Sequence, residues 1–171
     1  RSALAAVQMG RGSTIALTGP PGIGKSRLLR EAVATADTWG LAVVRGRAVP
    51  SGSASAFRPL TEALLGGLRH APVPDDPTLT PFTPALARIL PQWRTPGPRP
   101  DDSLVVLGEA VLRLLTVLGP GGIVLALEDL HWADPDTLTV VEYLADTIAV
   151  GRTLLIVTAR DEPGPSPSCC V

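Results

Sequence analysis

The sequence contains no asparagine. The Asn-Lys-x-Asp guanine reader of GTPases and the asparagine of the protein-kinase catalytic loop are therefore both excluded. Cysteine is confined to Cys169 and Cys170, adjacent at the end of the chain. That placement does not suit a disulfide framework or a spaced metal site, and a tail without a role is the simpler reading. No apolar run approaches the roughly 20 residues needed to span a bilayer, and Arg1 to Met9 lacks the apolar core of a signal peptide. No membrane partner is expected, and the expected compartment is cytoplasmic. The net charge is only -1 and the arginines are scattered, so this segment carries no basic stripe for nucleic acid. Lysine is almost as scarce as asparagine: Lys25 is the single lysine among fifteen basic residues.

That lysine lies inside Gly19-Pro20-Pro21-Gly22-Ile23-Gly24-Lys25-Ser26, a full G-x-x-x-x-G-K-[ST] phosphate-binding loop. Each residue type has a reason. The glycines let the backbone turn through conformations closed to other residues and gather N–H groups around phosphates. Lys25 brings a compact ammonium on a flexible stem to the β and γ oxygens. Ser26 offers a hydroxyl to Mg²⁺, and the helix that begins near Lys25 points its positive end at the same anion. The flanks agree: Thr14 to Thr18 reads as a short apolar strand, and Leu28, Leu29, Ala32, Val33 and Ala36 form one helical face. A ligand-free glycine-proline turn between strand and helix is the competing reading.

With 171 residues, 45% of them hydrophobic, the chain can bury one core and is expected to be one domain. Strands and helices alternate along it. Leu41 to Val49 reads as a second strand and Phe57 to Arg69 as a helix after the small-residue loop Ser51 to Ala56. Nine of the eighteen prolines fall between Pro72 and Pro100. This stretch is expected to be mainly loop, with at most a short helix around Ala85 to Leu90. A surface insertion is the plainer reading and a partner-binding segment the other. Asp101, Asp102 and Ser103 then offer caps for a helix to Leu118, apolar almost all round and stopped by Gly119-Pro120-Gly121-Gly122.

A second chemical signal follows. Ile123 to Leu127 is a continuous apolar run of the kind buried on both faces of a parallel sheet, and it delivers Glu128 and Asp129 to its carboxyl end. Open α/β sheets bind ligands there. Glu128 is the candidate metal-side acid and Asp129 the candidate base that orients or deprotonates water; the two roles could be exchanged. A pair of solvated acids is the alternative. Asp134 then caps a helix with Pro135 at its first position, running to about Ala149, with Leu138, Val141, Tyr143 and Leu144 available for burial. His131 sits on the turn between; a polar relay to the γ-phosphate and a packing role stand level. Thr153 to Arg160 is another buried strand, and Arg160 at its end could sense the terminal phosphate.

GPPGIGKSRLL, VVRGRA, VLALEDLHWADPDTL and LLIVTARDEP together resemble the ATPase module of the large ATP-binding LuxR-type transcriptional regulators, in the STAND branch of AAA-related P-loop NTPases. EDLHWADP is the most discriminating piece. The resemblance implies a three-layer α/β P-loop NTPase core over residues 1–161 with a proline-rich insertion at 72–100 and a disordered tail at 162–171. It implies a parallel sheet of four strands in the order first, fourth, third, second. By the same resemblance the phosphate loop, Gly19 through Ser26 with Arg27 beside it, holds the nucleotide; Ser26 and Glu128 hold Mg²⁺; Asp129 and Glu128 form the acidic strand-end motif; and Thr158 and Arg160 form the sensor.

In that family a Gly-Arg segment that helps hold adenine precedes the first helix, and a fifth strand, a helical lid and a DNA-binding helix-turn-helix follow. This sequence begins at Arg1 already inside the expected helix and ends in Gly-Pro-Ser-Pro-Ser-Cys-Cys-Val. The expectation is a fragment of a larger protein that stops before the fifth strand and lid. Its first strand is then left as an edge. ATP with Mg²⁺ is the expected ligand pair, and DNA contact or self-association would come only through parts outside this chain. The leading functional expectation is a slowly hydrolysing nucleotide switch. The alternatives are an AAA-type ATPase enzyme of another assembly and a non-functional remnant.

Overall fold

The computed structural model describes residues 1–50, 56–69, 76–94 and 103–161. The expected tail at 162–171, the caps Asp101 and Asp102, most of the loop Ser51 to Ala56 and both ends of the proline-rich stretch lie outside the described residues.

Four strands form one all-parallel sheet: β1 (Ser13–Leu17), β2 (Ala42–Arg47), β3 (Ile123–Glu128) and β4 (Thr153–Thr158). Their spatial order is β1-β4-β3-β2, so the two longest apolar runs occupy the centre. The first five residues of β3 are all buried, as a strand covered on both faces requires. At the edge, β1 alternates half-buried and exposed positions instead. Helices cover both faces. On one lie α1 (Ser2–Gln8) and α2 (Lys25–Thr38), where Leu4, Val7, Leu29 and Ala36 meet Val124, Ala126, Leu154 and Ile156. On the other lie α3 (Arg58–Leu68), α4 (Thr83–Leu86), α5 (Leu104–Leu118) and α6 (Pro135–Thr147), packed over Val44, Ile123, Leu125, Leu127 and Leu155. The architecture is the three-layer α/β core, with the strand order, that the resemblance implied.

The two longer helices of the second layer carry the expected caps. Ser103 Oγ accepts from the Val106 N–H at 3.4 Å, and Asp134 accepts from the Thr137 N–H at 2.9 Å with Pro135 in the first turn. Within α6 the burial differs from the sequence expectation. Val140, Val141 and Leu144 are buried, whereas Leu138 lies toward solvent, because the helix presents a narrower stripe to the sheet than its composition offered.

The proline-rich stretch needs a larger correction. Over its described part it is no surface insertion: Leu79, Ala85, Leu86, Ile89 and Leu90 are buried in the main core, Leu86 and Leu90 completely. Prolines permit this because Pro81, Pro84 and Pro91 each stand in the first turn of a short helix, where a missing N–H costs nothing. The helix there is Thr83–Leu86, slightly earlier than the expected Ala85 to Leu90.

At the β2 edge α3 lies almost on the strand. A Cβ at Gly46 would stand 1.8 Å from the Pro59 carbonyl oxygen, so only glycine allows this approach.

Candidate functional site

Because all four strands are parallel, their carboxyl ends lie along one edge of the sheet. The phosphate loop follows β1, Thr158 ends β4, Glu128 and Asp129 end β3, and Arg45 and Arg47 lie toward the end of β2. Side chains alternate along strands, so the even positions of β3 and β4 and the odd positions of β2 face the α1/α2 layer. Glu128, Thr158, Arg45 and Arg47 therefore share the face on which the loop and α2 stand.

In the loop, Gly22 and Gly24 have φ of 82° and 105°, and a Cβ at either would meet nothing within 4 Å. Backbone conformation, not space, demands glycine there. Gly24 precedes α2 in the left-handed region and no side chain caps the helix. This contrasts with α5 and α6, whose first-turn donors have side-chain acceptors. The Lys25 ammonium donates to the carbonyls of Gly19 at 2.6 Å and Pro20 at 2.9 Å. Ser26 is exposed at the first turn of α2, as are Pro20, Pro21, Gly22, Ile23 and Gly24 before it. Arg27 pairs instead along the helix with Glu31, at 3.0 Å.

The acidic strand end is more built than the sequence disclosed. Asp129 has φ of 57°, one of two non-glycine residues in the left-handed region among those described. Its N–H donates to Thr158 Oγ1 at 2.9 Å, and Thr158 is 1% exposed. The end of β4 thus pins the turn that aims the acid. Both carboxylates face arginines of β2. Arg45 Nη2 lies 2.8 Å from Glu128 Oε1, while Arg47 places Nε at 2.8 Å and Nη2 at 2.7 Å from Asp129 Oδ2. The acids are largely covered, with side chains 16% and 20% exposed. The hydrogen bond it donates to Asp129, followed by the charge of that carboxylate, holds the pKa of the Arg47 guanidinium above its ordinary value; Glu128 and Glu62 add to this and desolvation opposes it.

His131 and Arg160 sit past the strand ends. Both His131 ring nitrogens are buried with no hydrogen-bond partner, and the ring lies 5.0 Å from that of Trp132. Arg160 is exposed, with its guanidinium 6.0 Å from the centre of the Trp132 ring. Arg45 and Arg47 are the site residues the sequence reading missed. The available signal was their alternation on a strand, which places both on the face shared with Glu128 once β2 is set beside β3.

The arrangement fits a nucleotide with Mg²⁺. Uncapped N–H groups and an ammonium suit phosphates. Among the described residues no cluster of three or more His, Cys, Asp or Glu could hold a metal by itself. Mg²⁺ is bound through one or two carboxylates together with substrate phosphates, and the carboxylates at the end of β3 and the exposed Ser26 hydroxyl are the groups that could hold it here.

The family model for the AAA ATPase domain matches residues 1–157. The chain belongs to the AAA ATPase domain family. Nucleotide binding is the property that membership supports. The AAA domain is also 29% identical over 176 residues to an uncharacterized protein of Rhizobium meliloti (strain 1021), covering 90% of this chain and 17% of that protein's length. It overlays on a chain of the Drosophila ORC structure bound to DNA with a TM-score of 0.42 and 8% identity, covering 94% of this chain and 73% of that one. Among the described residues no helix is long and apolar enough to cross a membrane.

Proposed function

We propose that this AAA domain is the ATP-dependent switch of a larger, signal-responsive transcriptional regulator of the LuxR type, in which hydrolysis is slow. The observation that carries the nucleotide reading is the uncapped start of α2 behind a loop whose glycines hold positive φ, with Lys25 at its head. The absence of asparagine removes the usual guanine reader, which favours adenine. The EDLHWADP segment supports the regulator assignment, and a matched relative of which this chain covers only 17% accords with a module inside a large protein. DNA contact and self-association belong to parts outside this chain.

In this reading Gly19 to Ser26 bind the phosphates, and Arg27 lies beside them at the start of α2. Ser26 and Glu128 hold Mg²⁺, which when bound neutralises charge developing on the phosphates. Asp129 orients and deprotonates the attacking water. Arg47 binds only one oxygen of Asp129, and among the described residues Oδ1 has no hydrogen-bond partner and can accept from that water. Arg160 senses the terminal phosphate, and the unpartnered nitrogens of His131 suit it to a relay.

Calorimetric titration of Mg-ATP and Mg-GTP into wild type and Lys25→Ala tests the reading. Charge-assisted hydrogen bonds contribute about 1.5–3 kcal/mol each, so losing two weakens ATP binding by about 100-fold or more. Mg-ATP should bind the wild type more tightly than Mg-GTP. Equal ATP affinity in wild type and variant would remove the central claim.

A further inference from the structure

A cavity of about 490 Å³ lies along the outer side of α3 and β2, lined by Arg45, Arg58, Thr61, Glu62, Leu65 and Arg69 among others. Arg58 opens α3 and Arg69 follows its last residue. Eleven positions at 1.5 Å each separate them by about 16 Å, and eleven residues return close to the same helical face. Both are exposed and form no ion pair among the described residues. One small oxyanion cannot touch both ends, whereas an extended chain bearing several carboxylates can. The strand beside the groove favours a polypeptide over a nucleic acid. The N–H groups of Ala42 and Ala48 donate to the carbonyls of Gly122 and Glu128, so the backbone groups of the even residues of β2 point toward β3 and those of the odd ones toward the outer edge, which no strand pairs among the described residues. Of those edge donors, Arg47 N–H is taken by Glu62 at 3.1 Å, and the backbone of Val43 and Arg45 faces outward for strand addition.

We infer that this groove binds an extended acidic peptide segment, and that Arg45 couples it to the nucleotide site. Arg45 belongs to both: it lines the groove and pairs with Glu128. When Mg²⁺ engages Glu128, the guanidinium is released to the groove and joins Arg58 and Arg69. The coupling rests on the metal role of Glu128 proposed above; the groove itself does not. Its size follows from the strength of the pair. Arg45 is 43% exposed, and a partly exposed ion pair is weak, so its release alters peptide affinity only about two- to fivefold. By linkage, peptide tightens Mg-ATP by the same factor.

Fluorescence anisotropy of a labelled peptide of alternating Glu and Val tests both parts, with and without Mg-ATP. Binding is expected without nucleotide, to be lost in the surface variant R58Q/R69Q, and to tighten two- to fivefold with Mg-ATP in wild type but not in Arg45→Gln. Equal peptide affinity in wild type and R58Q/R69Q would overturn the groove, as would a single-stranded oligonucleotide that binds there in place of the peptide. Equal tightening in wild type and Arg45→Gln would overturn the coupling. If Mg-ATP fails to bind in a separate titration while the peptide binds through Arg58 and Arg69, the nucleotide reading and the coupling fall together and the groove stands.

Discussion

Replacing Thr158 by valine removes one oxygen while keeping the side chain's shape. Thr158 is 1% exposed and its Oγ1 accepts the Asp129 N–H at 2.9 Å. Valine leaves that N–H without its partner, a cost of about 1–3 kcal/mol. With a urea m-value of about 2 kcal/mol/M, the unfolding midpoint falls by roughly 0.5–1.5 M. The same bond holds Asp129 in the left-handed region, at φ of 57°, a conformation that itself costs on the order of 1 kcal/mol. Without it the turn relaxes and the carboxylate leaves the position set by Arg47. Phosphate release should therefore slow by at least about tenfold, while Mg-ATP affinity, which the proposed function assigns to the loop around Lys25, should change little. Thr158→Ser is the control: it loses a buried methyl and some stability but keeps the acceptor, and so keeps turnover. If valine and serine hydrolyse ATP equally, Thr158 does not position Asp129 and the argument fails.

Asp129→Asn should retain Mg-ATP binding and lose most hydrolysis, because the amide keeps the shape without the base; single-turnover phosphate release measures it, and a wild-type rate excludes Asp129 as base. Leu86→Ala should destabilise the chain by about 2–5 kcal/mol in urea, as expected of a fully buried leucine, whereas a loss below about 0.5 kcal/mol would restore the surface-insertion reading of its segment. Asp134→Ala removes acceptors for the N–H groups of Thr137 and Phe57 together and should lower stability by about 1–3 kcal/mol in thermal or urea unfolding; an unchanged midpoint would show that water replaces both.

Much of this molecule was legible because single residues had one physical reason to be where they are. The phosphate loop, the apolar run delivering Glu128 and Asp129, and the Asp134-Pro135 helix start are local signals, and the structure places each where the sequence located it. The strand order came from resemblance, since no local pattern specifies which strands become neighbours. The proline-rich segment misled because proline density suggests loop, while the positions that matter are the leucines and isoleucine between the prolines, whose burial depends on α5 arriving against them. Arg45 and Arg47 escaped for a related reason. They are separated from Glu128 and Asp129 by more than eighty residues and meet them only after the sheet is assembled. Pairings across a sheet are absent from any window of sequence.

The contact of Gly46 with Pro59 has a mechanical meaning. Arg45 and Arg47 bracket the one residue of β2 on which the start of α3 rests without clearance. Side chains can swing freely at such a point, but the strand cannot shift or twist there without carrying the helix with it. If the acids draw in or release their arginines by more than a rotamer change, α3 moves as a lever whose pivot is Gly46 and whose far end is Arg69. A spectroscopic label near that far end would then respond to events at Glu128 on the other face of the sheet.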